Sequence, residues 1–315
     1  TEFYKITRNC LKCEKSASTL QHTFMVKLIS FLGRKYMSIY SKLKKYLGFP
    51  QRSPDTDFVK ISGEPTWNSP YFMMKLCHGQ DQVTRELSNH GWKSFEKPMP
   101  HYFANIIQKL NNGLFIDVGA NTGFYSLLAL SVSKKIRIEA YEPVIEIFHI
   151  LKKNIDKNGY RKRALIFPYA ISDKSGDGYL YIPDNSHGLI ETSASLSSNF
   201  KESIMEHRSI KKYSLDELYC NSQPVNIIKI DAEGHDLEVL TGAQNIIKRD
   251  RPIIFIEVLL GSNEEEMTNI IKNNSYKDYV LFQDGLSRPN NSIIHETLAW
   301  NHILIPEEKI GILDN

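Results

Sequence analysis

The sequence predicts an α/β fold in which helices cover both faces of a doubly wound, mostly parallel sheet. Short apolar runs suited to buried strands recur along residues 113–310, separated by stretches with helical spacing. The first run, residues 114–118, passes through a glycine turn at 119–123 into an apolar helix at 124–130. Because strands that alternate with helices pair in parallel through right-handed crossovers, this order predicts the fold class.

The other predicted elements follow along the chain. Strands are expected at residues 136–141, 165–169, 179–182, 225–230, 253–256, 279–282 and 298–305. Helices are expected at residues 80–89, 98–110, 144–158 and 264–273, and a further one after residue 236. Residues 50–70 are rich in Pro, Ser and Gly, which predicts a linker or irregular structure.

Charge and composition divide the chain into three parts. Residues 1–60 carry 12 Lys and Arg against 4 Asp and Glu, whereas the rest carries 27 against 32. We therefore predict a basic, mostly helical arm at 1–60, a helical lead-in or cap at 61–112, and a mildly acidic catalytic domain at 113–310. The polar, Ser-rich sequence near 183–212 predicts a loop insertion in that domain. Nucleic acid is disfavoured as a partner, because the basic charge is confined to the arm.

The arm leaves two interpretations open. Residues 24–49 are amphipathic, with apolar residues at helical spacing and Lys and Arg between them. Such a helix would make peripheral contact with an anionic membrane surface, or it would pack against the protein body or a partner subunit. We favour packing, and the sequence predicts no oligomeric state. Four cysteines in 315 residues do not make a disulfide framework, and no apolar run is long enough to span a bilayer, so we expect a cytoplasmic protein.

The glycine turn has an unusual spacing for a nucleotide-binding loop. Its pattern is Asp117-x-Gly119-x-Asn121-x-Gly123, which matches neither the dinucleotide fingerprint nor the phosphate loop. A turn from strand to helix presents free backbone N–H groups to a crevice above the sheet, and glycines would let a ligand approach the main chain. We expect the carboxylate of Asp117 to point into that crevice, where it suits a ligand with an amino group.

Acidic residues follow three further predicted strands. Glu142 lies about 20 residues past the turn, the place of an acid that binds a ribose diol, although it also suits a first-turn helix acid. Asp231 and Glu257 end the strands at 225–230 and 253–256. Because buried strand ends do not gather carboxylates without partners, a ligand with hydroxyl and ammonium groups, or a metal, is implied. Asp231 and Glu257 are the candidate ligands for a divalent metal such as Mg²⁺.

Six segments, taken in order, resemble the FkbM family of S-adenosylmethionine (SAM)-dependent methyltransferases. They are FIDVGANTGFYS (115–126), YEP (141–143), AISDKSG (170–176), SLDEL (214–218), IIKIDAEGHDLEVLTGA (227–243) and PIIFIEV (252–258). The resemblance covers roughly residues 95–305 and implies a Rossmann-like, seven-stranded sheet of the class I methyltransferase type whose last strand is antiparallel. It also implies O-methylation of hydroxyl groups on sugars, polyketides or similar metabolites.

The resemblance assigns roles to individual residues. The methionine portion of SAM falls to Asp117, Gly119, Asn121 and Gly123, the ribose to Glu142, and the adenine to Ala170, Ile171 and Asp173. Asp231, Glu233 and His235 are the candidate catalytic residues. We expect Asp231 to position cofactor or substrate, and Glu233 or His235 to remove the proton from the acceptor hydroxyl.

The sequence therefore favours a SAM-dependent O-methyltransferase with a sugar, glycan or similar small-molecule acceptor. Three alternatives remain. A nicotinamide oxidoreductase would need a second glycine where Asn121 stands. An RNA methyltransferase would use the basic arm, but the body is acidic. A SAM-binding module without catalysis would have no use for Glu233, His235 and Glu257.

Overall fold

A computed structural model describes residues 57–63, 70–77, 81–183, 194–196 and 204–314. The predictions for residues 24–49, and for nearly all of the basic arm, lie outside these residues. None of the described helices is long and apolar enough to cross a membrane.

Thirteen strands and eight α-helices are described. The strands are β1 (Phe58–Ser62), β2 (Tyr71–Lys75), β3 (Asn112–Val118), β4 (Lys135–Tyr141), β5 (Ala164–Phe167), β6 (Ala170–Ile171), β7 (Gly176–Pro183), β8 (Ile204–Tyr213), β9 (Val225–Ile230), β10 (Ile253–Glu257), β11 (Tyr276–Phe282), β12 (Gly285–Leu286) and β13 (Asn301–Pro306). The helices are α1 (Gln82–His90), α2 (Met99–Leu110), α3 (Phe124–Val132), α4 (Ile145–Lys157), α5 (Leu215–Leu218), α6 (Asp236–Thr241), α7 (Gln244–Asp250) and α8 (Glu264–Asn273). A 3₁₀ helix, Glu307–Leu313, follows β13.

The central sheet confirms the predicted fold class. Its strand order is β12-β11-β13-β10-β9-β3-β4-β5. Strands β5, β4, β3, β9 and β10 pair in parallel, whereas β13 is antiparallel to both β10 and β11. These strands and β11 make the expected seven with the last one antiparallel, and the two-residue β12 adds an eighth at the edge. The fold is a Rossmann-like doubly wound sheet.

Two layers of apolar side chains sandwich this sheet. Along β3, Phe115 packs into the cluster that includes Phe72 and Phe103, while Leu114 and Ile116 pack into the cluster that includes Leu240. Strands buried on both faces read as continuous apolar runs, which is why their positions were predictable. Burial of each large side chain stabilises the fold by roughly 1.5–3 kcal/mol.

The lead-in contains a hairpin that the sequence did not predict. Strand β1 lies within the expected linker 50–70 and pairs antiparallel with β2, and Ile61, Phe72 and Met74 are buried. Phe72 packs against Phe124 of α3 with ring centroids 6.1 Å apart. The Gly- and Pro-rich sequence around these short strands hid their alternating burial. Helices α1 and α2 agree with the predicted helices of the lead-in.

The prediction of a loop near 183–212 is wrong for residues 204–212, which form a strand. Residues 204–213 form β8, which pairs antiparallel with β7 into a two-stranded ribbon, and β6 adds a parallel pair to β8. Residues 184–193 and 197–203 lie outside the described part of the chain. Charged residues such as Glu206, Arg208 and Lys211 dominate β8. A ribbon with so much exposed surface lacks the apolar alternation by which strands are recognised.

The turn between β3 and α3 is packed against two neighbouring strand ends. The backbone N–H groups of Gly119 and Ala120 both donate to the carbonyl oxygen of Tyr141 at 3.0 Å. Gly119 has φ +69°, and a Cβ there would lie 1.8 Å from the carbonyl oxygen of Asp231. The glycine therefore allows the close approach of the β9 strand end.

This packing predicts that Gly119→Ala is strongly destabilising. Gly159 is the matched control, because its φ is +73° but no atom lies within 4 Å of an added Cβ. We expect Gly159→Ala to lower the free energy of unfolding by about 1 kcal/mol, and Gly119→Ala to lower it by roughly a further 1–3 kcal/mol because the clash forces backbone shifts. Urea unfolding measures both. Equal losses in the two variants would show that the contact with Asp231 is unimportant.

Candidate active site

A cleft opens where β3, β4 and β9 end, at the carboxyl edge of the sheet. Its walls come from residues of the strand ends, of the loops that follow them and of β7. Most of the predicted site residues line it: Gly119, Asn121, Glu142, Ala170, Ile171, Asp231, Glu233 and His235. The structure thus gathers residues that are more than 100 positions apart in sequence.

Glu142 is the most tightly held acid of the cleft. One carboxylate oxygen accepts from the backbone N–H of Asn121 at 2.9 Å, and the other accepts from that of Val144 at 2.8 Å. Burial raises the pKa of Glu142 to about 8, although these two N–H donors act to lower it. The alternatives left open for Glu142 are therefore compatible: it binds the backbone just before α4 and also faces the cleft.

The loop between β9 and α6 is shaped by Asp236. Its two carboxylate oxygens accept from the backbone N–H groups of Ala232 at 3.0 Å and Gly234 at 3.1 Å. Glu233, between them, has φ +53°, a conformation that needs such support. Burial raises the pKa of Asp236 to about 7. Asp236 was not predicted as a site residue, since an acid at the start of a helix is common for helix stability alone.

Asp231 is paired with a buried lysine. Lys229 projects from β9 with 4 % of its surface exposed, and its Nζ lies 2.8 Å from Asp231 Oδ2 and 5.0 Å from the centre of the Tyr125 ring. Burial alone would lower the pKa of Lys229, but the charges of Asp231, Asp117 and Glu96 outweigh it and raise the pKa. A charged Lys229 therefore holds the Asp231 carboxylate. The sequence indicated this residue only as a lysine next to the apolar residues of β9.

Asp117 does not face the cleft, which corrects the sequence prediction. It is 1 % exposed, and its Oδ2 accepts from Ser126 Oγ at 2.6 Å. Its Oδ1 has no hydrogen-bond partner within the described chain. Successive strand residues point to opposite faces, so Val118 lines the cleft while Asp117 points toward α3. Burial raises the pKa of Asp117.

Three other predicted residues also lie off the cleft wall. Gly123 caps α3, and a Cβ there would meet the side chain of Leu151 at 2.5 Å. Asp173 pairs with Lys212 at 3.3 Å. Glu257 ends β10 beyond the cleft, where burial and the charges of Asp231, Asp236 and Glu233 raise its pKa to about 9. Within the described residues, no three His, Cys, Asp or Glu side chains are grouped so that they could hold a metal ion.

His235 lines the cleft, but both of its ring nitrogens face other side chains. Nε2 lies 2.9 Å from Ser172 Oγ, which also accepts from Lys212 Nζ at 3.1 Å. Nδ1 lies 3.5 Å from Glu238 Oε2. Burial lowers the pKa of His235, which favours the neutral ring. The histidine is therefore part of a polar network that ties α6 to β6 and β8.

The apolar wall of the cleft was largely missed from sequence. Tyr141 stacks on Phe167 with centroids 5.1 Å apart and planes at 19°, and Phe167 stacks on Tyr169 at 6.1 Å and 16°. Further apolar lining comes from the ribbon and the short segment beside it: Leu180, Ala194 and Leu196. These residues and Ile171 make up an apolar part of the lining beside the end of β5, which we call the apolar slot. The aromatic residues at strand ends were the available signal.

The buried acids predict a specific dependence of stability on pH. Folded Glu142 keeps its proton up to about pH 8, whereas in the unfolded chain it loses it near pH 4. Between these values the folded protein binds more protons, so a rise in pH favours unfolding. We expect the stability of the wild type relative to Glu142→Gln to fall between pH 5 and pH 8, by at most about 1.4 kcal/mol per pH unit.

Urea unfolding at pH 5, 6.5 and 8 measures this difference. The exposed Glu146→Gln, four residues away on α4, is the control and should follow the wild type. An unchanged difference between wild type and Glu142→Gln across this range would contradict the raised pKa.

The part of the chain that forms the cleft is similar to known methyltransferases. Residues 117–281 match the family model described as the methyltransferase FkbM domain, which is more than half of the chain. The chain is 29% identical over 160 residues to the hexuronic acid methyltransferase AglP of Haloferax volcanii. That match covers 49% of this chain and 59% of AglP.

Similar solved structures include the methyltransferase FkbM from Methylobacillus flagellatus KT, with TM-score 0.42 and 16% identity over 62% of this chain and 44% of that one. Another is the precorrin-6y C5,15-methyltransferase from Geobacter metallireducens GS-15, with TM-score 0.36 and 11% identity over 64% and 85% of the two chains. The matched residues 117–281 run from the end of β3 into β11 and include every strand end that borders the cleft. The chain belongs to the FkbM family of methyltransferases.

Proposed function

We propose that this protein is a SAM-dependent O-methyltransferase that acts on a hydroxyl group of a sugar, glycan or similar metabolite. The observation that carries the proposal is the Glu142 carboxylate, fixed by two backbone N–H groups between the apolar slot and Asp231. Family membership supports methyl transfer, and the hexuronic acid named for AglP favours a sugar acceptor.

The residues of the cleft fit SAM. The slot between Tyr169, Ile171 and Leu180 suits a flat adenine ring, and the Glu142 oxygens have lone pairs left for the two hydroxyls of a ribose. Asp231 and Glu233 place negative charge where the sulfonium and amino groups would lie. No Lys or Arg lines the described cleft, so a dinucleotide pyrophosphate would meet only like charge there.

The mechanism follows from the residues beyond Glu142. SAM supplies a methyl group on a positively charged sulfur, and the protein must bring a hydroxyl oxygen in line with it. Such positioning is worth on the order of 7 kcal/mol or more. Asp231, fixed by Lys229, would orient the hydroxyl, and Glu233 would accept its proton as the new C–O bond forms, the C–S bond breaks and the neutral thioether leaves. We propose Glu233 as the base because it lines the cleft two residues from Asp231, and we keep His235, which also lines the cleft, as the alternative.

SAM binding should release a proton. At pH 7 the raised pKa keeps most of free Glu142 protonated, and hydrogen bonds donated by a ribose diol favour the ionised form. We expect the release of up to about one proton per SAM bound at pH 7, measured by calorimetry in buffers of different ionisation enthalpy. Glu142→Gln should abolish the release and weaken binding by roughly 10- to 100-fold.

Glu146→Gln is again the control, because it removes a carboxylate four residues from Glu142, on α4 and outside the cleft. It should keep both the affinity and the proton release. The same proton release in Glu142→Gln would contradict the ribose role, and an absence of SAM binding to the wild type would contradict the proposed function.

Glu233→Gln should separate chemistry from cofactor binding. The amide keeps the size of the side chain but cannot take a proton, so methyl transfer should fall by about 100- to 10,000-fold while the SAM affinity stays within about twofold. Transfer of labelled methyl groups to a panel of glycosides and glycolipids measures the rate. Glu238→Gln, on the outer side of His235, is the control and should remain active. A Glu233→Gln variant with full activity would exclude this residue as the base.

A further inference from the structure

The order of strands indicates where the acceptor lies. Glu142 follows β4, Gly119 follows β3 and Asp231 follows β9, so the proposed cofactor occupies the edge above β4, β3 and β9. The ribbon closes the side toward β5 with apolar residues. The next strands on the other side are β10 and β13, which lie about 5 and 10 Å beyond β9. An acceptor that meets the methyl group near Asp231 must therefore extend over β10 and β13.

Two loops at that end expose large apolar side chains. Leu260 is 85 % exposed, Leu298 86 %, Ile294 57 % and Trp300 50 %. The loops are joined, because the backbone N–H of Val258 donates to the carbonyl oxygen of Trp300 at 2.8 Å. Trp300 directly precedes Asn301, which pairs with Glu257 in the sheet. An exposed tryptophan and a half-buried carboxyl group thus belong to neighbouring residue pairs at this end of β10 and β13, at the edge the acceptor must cross. Sites for sugars need this combination of an apolar face and a polar group.

A second cavity adjoins these loops. Its lining includes Asp278, Asn290, Asn291, Ser292, Ile294 and Glu296. Glu296 pairs with Ala299, next to Trp300, so the cavity and the tryptophan share one loop.

A buried carboxylate in this cavity has one oxygen to spare. Asp278 is 0 % exposed, and its Oδ1 lies 2.8 Å from His302 Nδ1. Its Oδ2 has no hydrogen-bond partner among the residues described. A buried acceptor atom without a partner is unfavourable, and a ligand hydroxyl would satisfy it.

The charges restrict the ligand. Asp278 and Glu296 are the charged residues in the described lining of the cavity. The nearby Lys277, which donates to Asn291 Oδ1, is paired with Glu307 at 2.8 Å. A ligand with carboxylates or phosphates would be repelled by the two acids. The side chains instead offer acceptors and amide groups that suit hydroxyls.

We propose that Trp300 and the cavity beside Asp278 form the acceptor site, and that the acceptor is an uncharged sugar chain of at least two units. The target ring lies against Trp300 next to Glu257, and the following unit enters the cavity. This inference rests on the proposed function, and it differs from the hexuronic acid named for AglP.

Saturation-transfer NMR on the full chain, with S-adenosylhomocysteine present, tests the proposal without turnover. The probes are methyl glycosides and neutral disaccharides of glucose, galactose, mannose and N-acetylglucosamine, with methyl glucuronide as the charged probe. We expect neutral disaccharides to bind at least tenfold more tightly than methyl glycosides or the glucuronide. Trp300→Ala should weaken all neutral probes at least tenfold, whereas Trp300→Phe should retain most of the affinity.

Two further variants make the test specific. Asn291→Ala, at an exposed position of the cavity, should reduce disaccharide affinity about tenfold and leave the methyl glycosides unchanged. Tyr71→Ala removes an aromatic side chain of similar exposure, 54 %, from β2 and should change nothing.

The proposal is overturned if no neutral sugar binds, if the glucuronide binds as tightly as the neutral disaccharides, or if Trp300→Ala binds like the wild type. Each of these results leaves the proposed methyltransferase intact as long as calorimetry still shows SAM binding. Loss of SAM binding in the wild type would instead count against the proposed function itself.

Discussion

The contact between Gly119 and the carbonyl oxygen of Asp231 is the constraint on which the cleft depends. It brings the turn after β3 against the end of β9, and the hydrogen bonds from this turn to Tyr141 attach the end of β4. Three strand ends are thereby fixed at one point, and the side chains that follow them share a single opening. Any residue with a Cβ at 119 would separate the strand ends and widen the cleft at its centre.

A second layer of buried polar groups stands behind the cleft residues. Lys229 holds Asp231, and Asp236 holds the backbone on both sides of Glu233. Burial of such groups is unfavourable unless each finds a partner, so these pairs are more than incidental packing. They fix the backbone of the short loop from which Asp231 and Glu233 line the cleft.

The sequence predicted the sheet well because its strands are buried on both faces and end at recognisable turns. Glu142 and Asp231 were placed correctly beside the cleft because each directly follows a strand. The orientation predicted for the Asp117 side chain was wrong because side chains alternate along a strand. Its neighbour Val118 lines the cleft, so Asp117 points to the other side of the sheet. Residues from outside the sheet, such as Leu180 and Trp300, carry no local signal, because only tertiary packing brings them to the edge.

The position of β13 in the sheet affects when β11 is able to pair during synthesis of the chain. Although it follows the other described strands in sequence, it lies between β10 and β11, and the other neighbour of β11 among the described strands of the sheet is the two-residue β12. While the chain emerges from the ribosome, β11 therefore has no place to dock until β13 has also been synthesised. The strands β3, β4 and β9, whose ends form the cleft, therefore precede in sequence the strand that β11 needs for pairing.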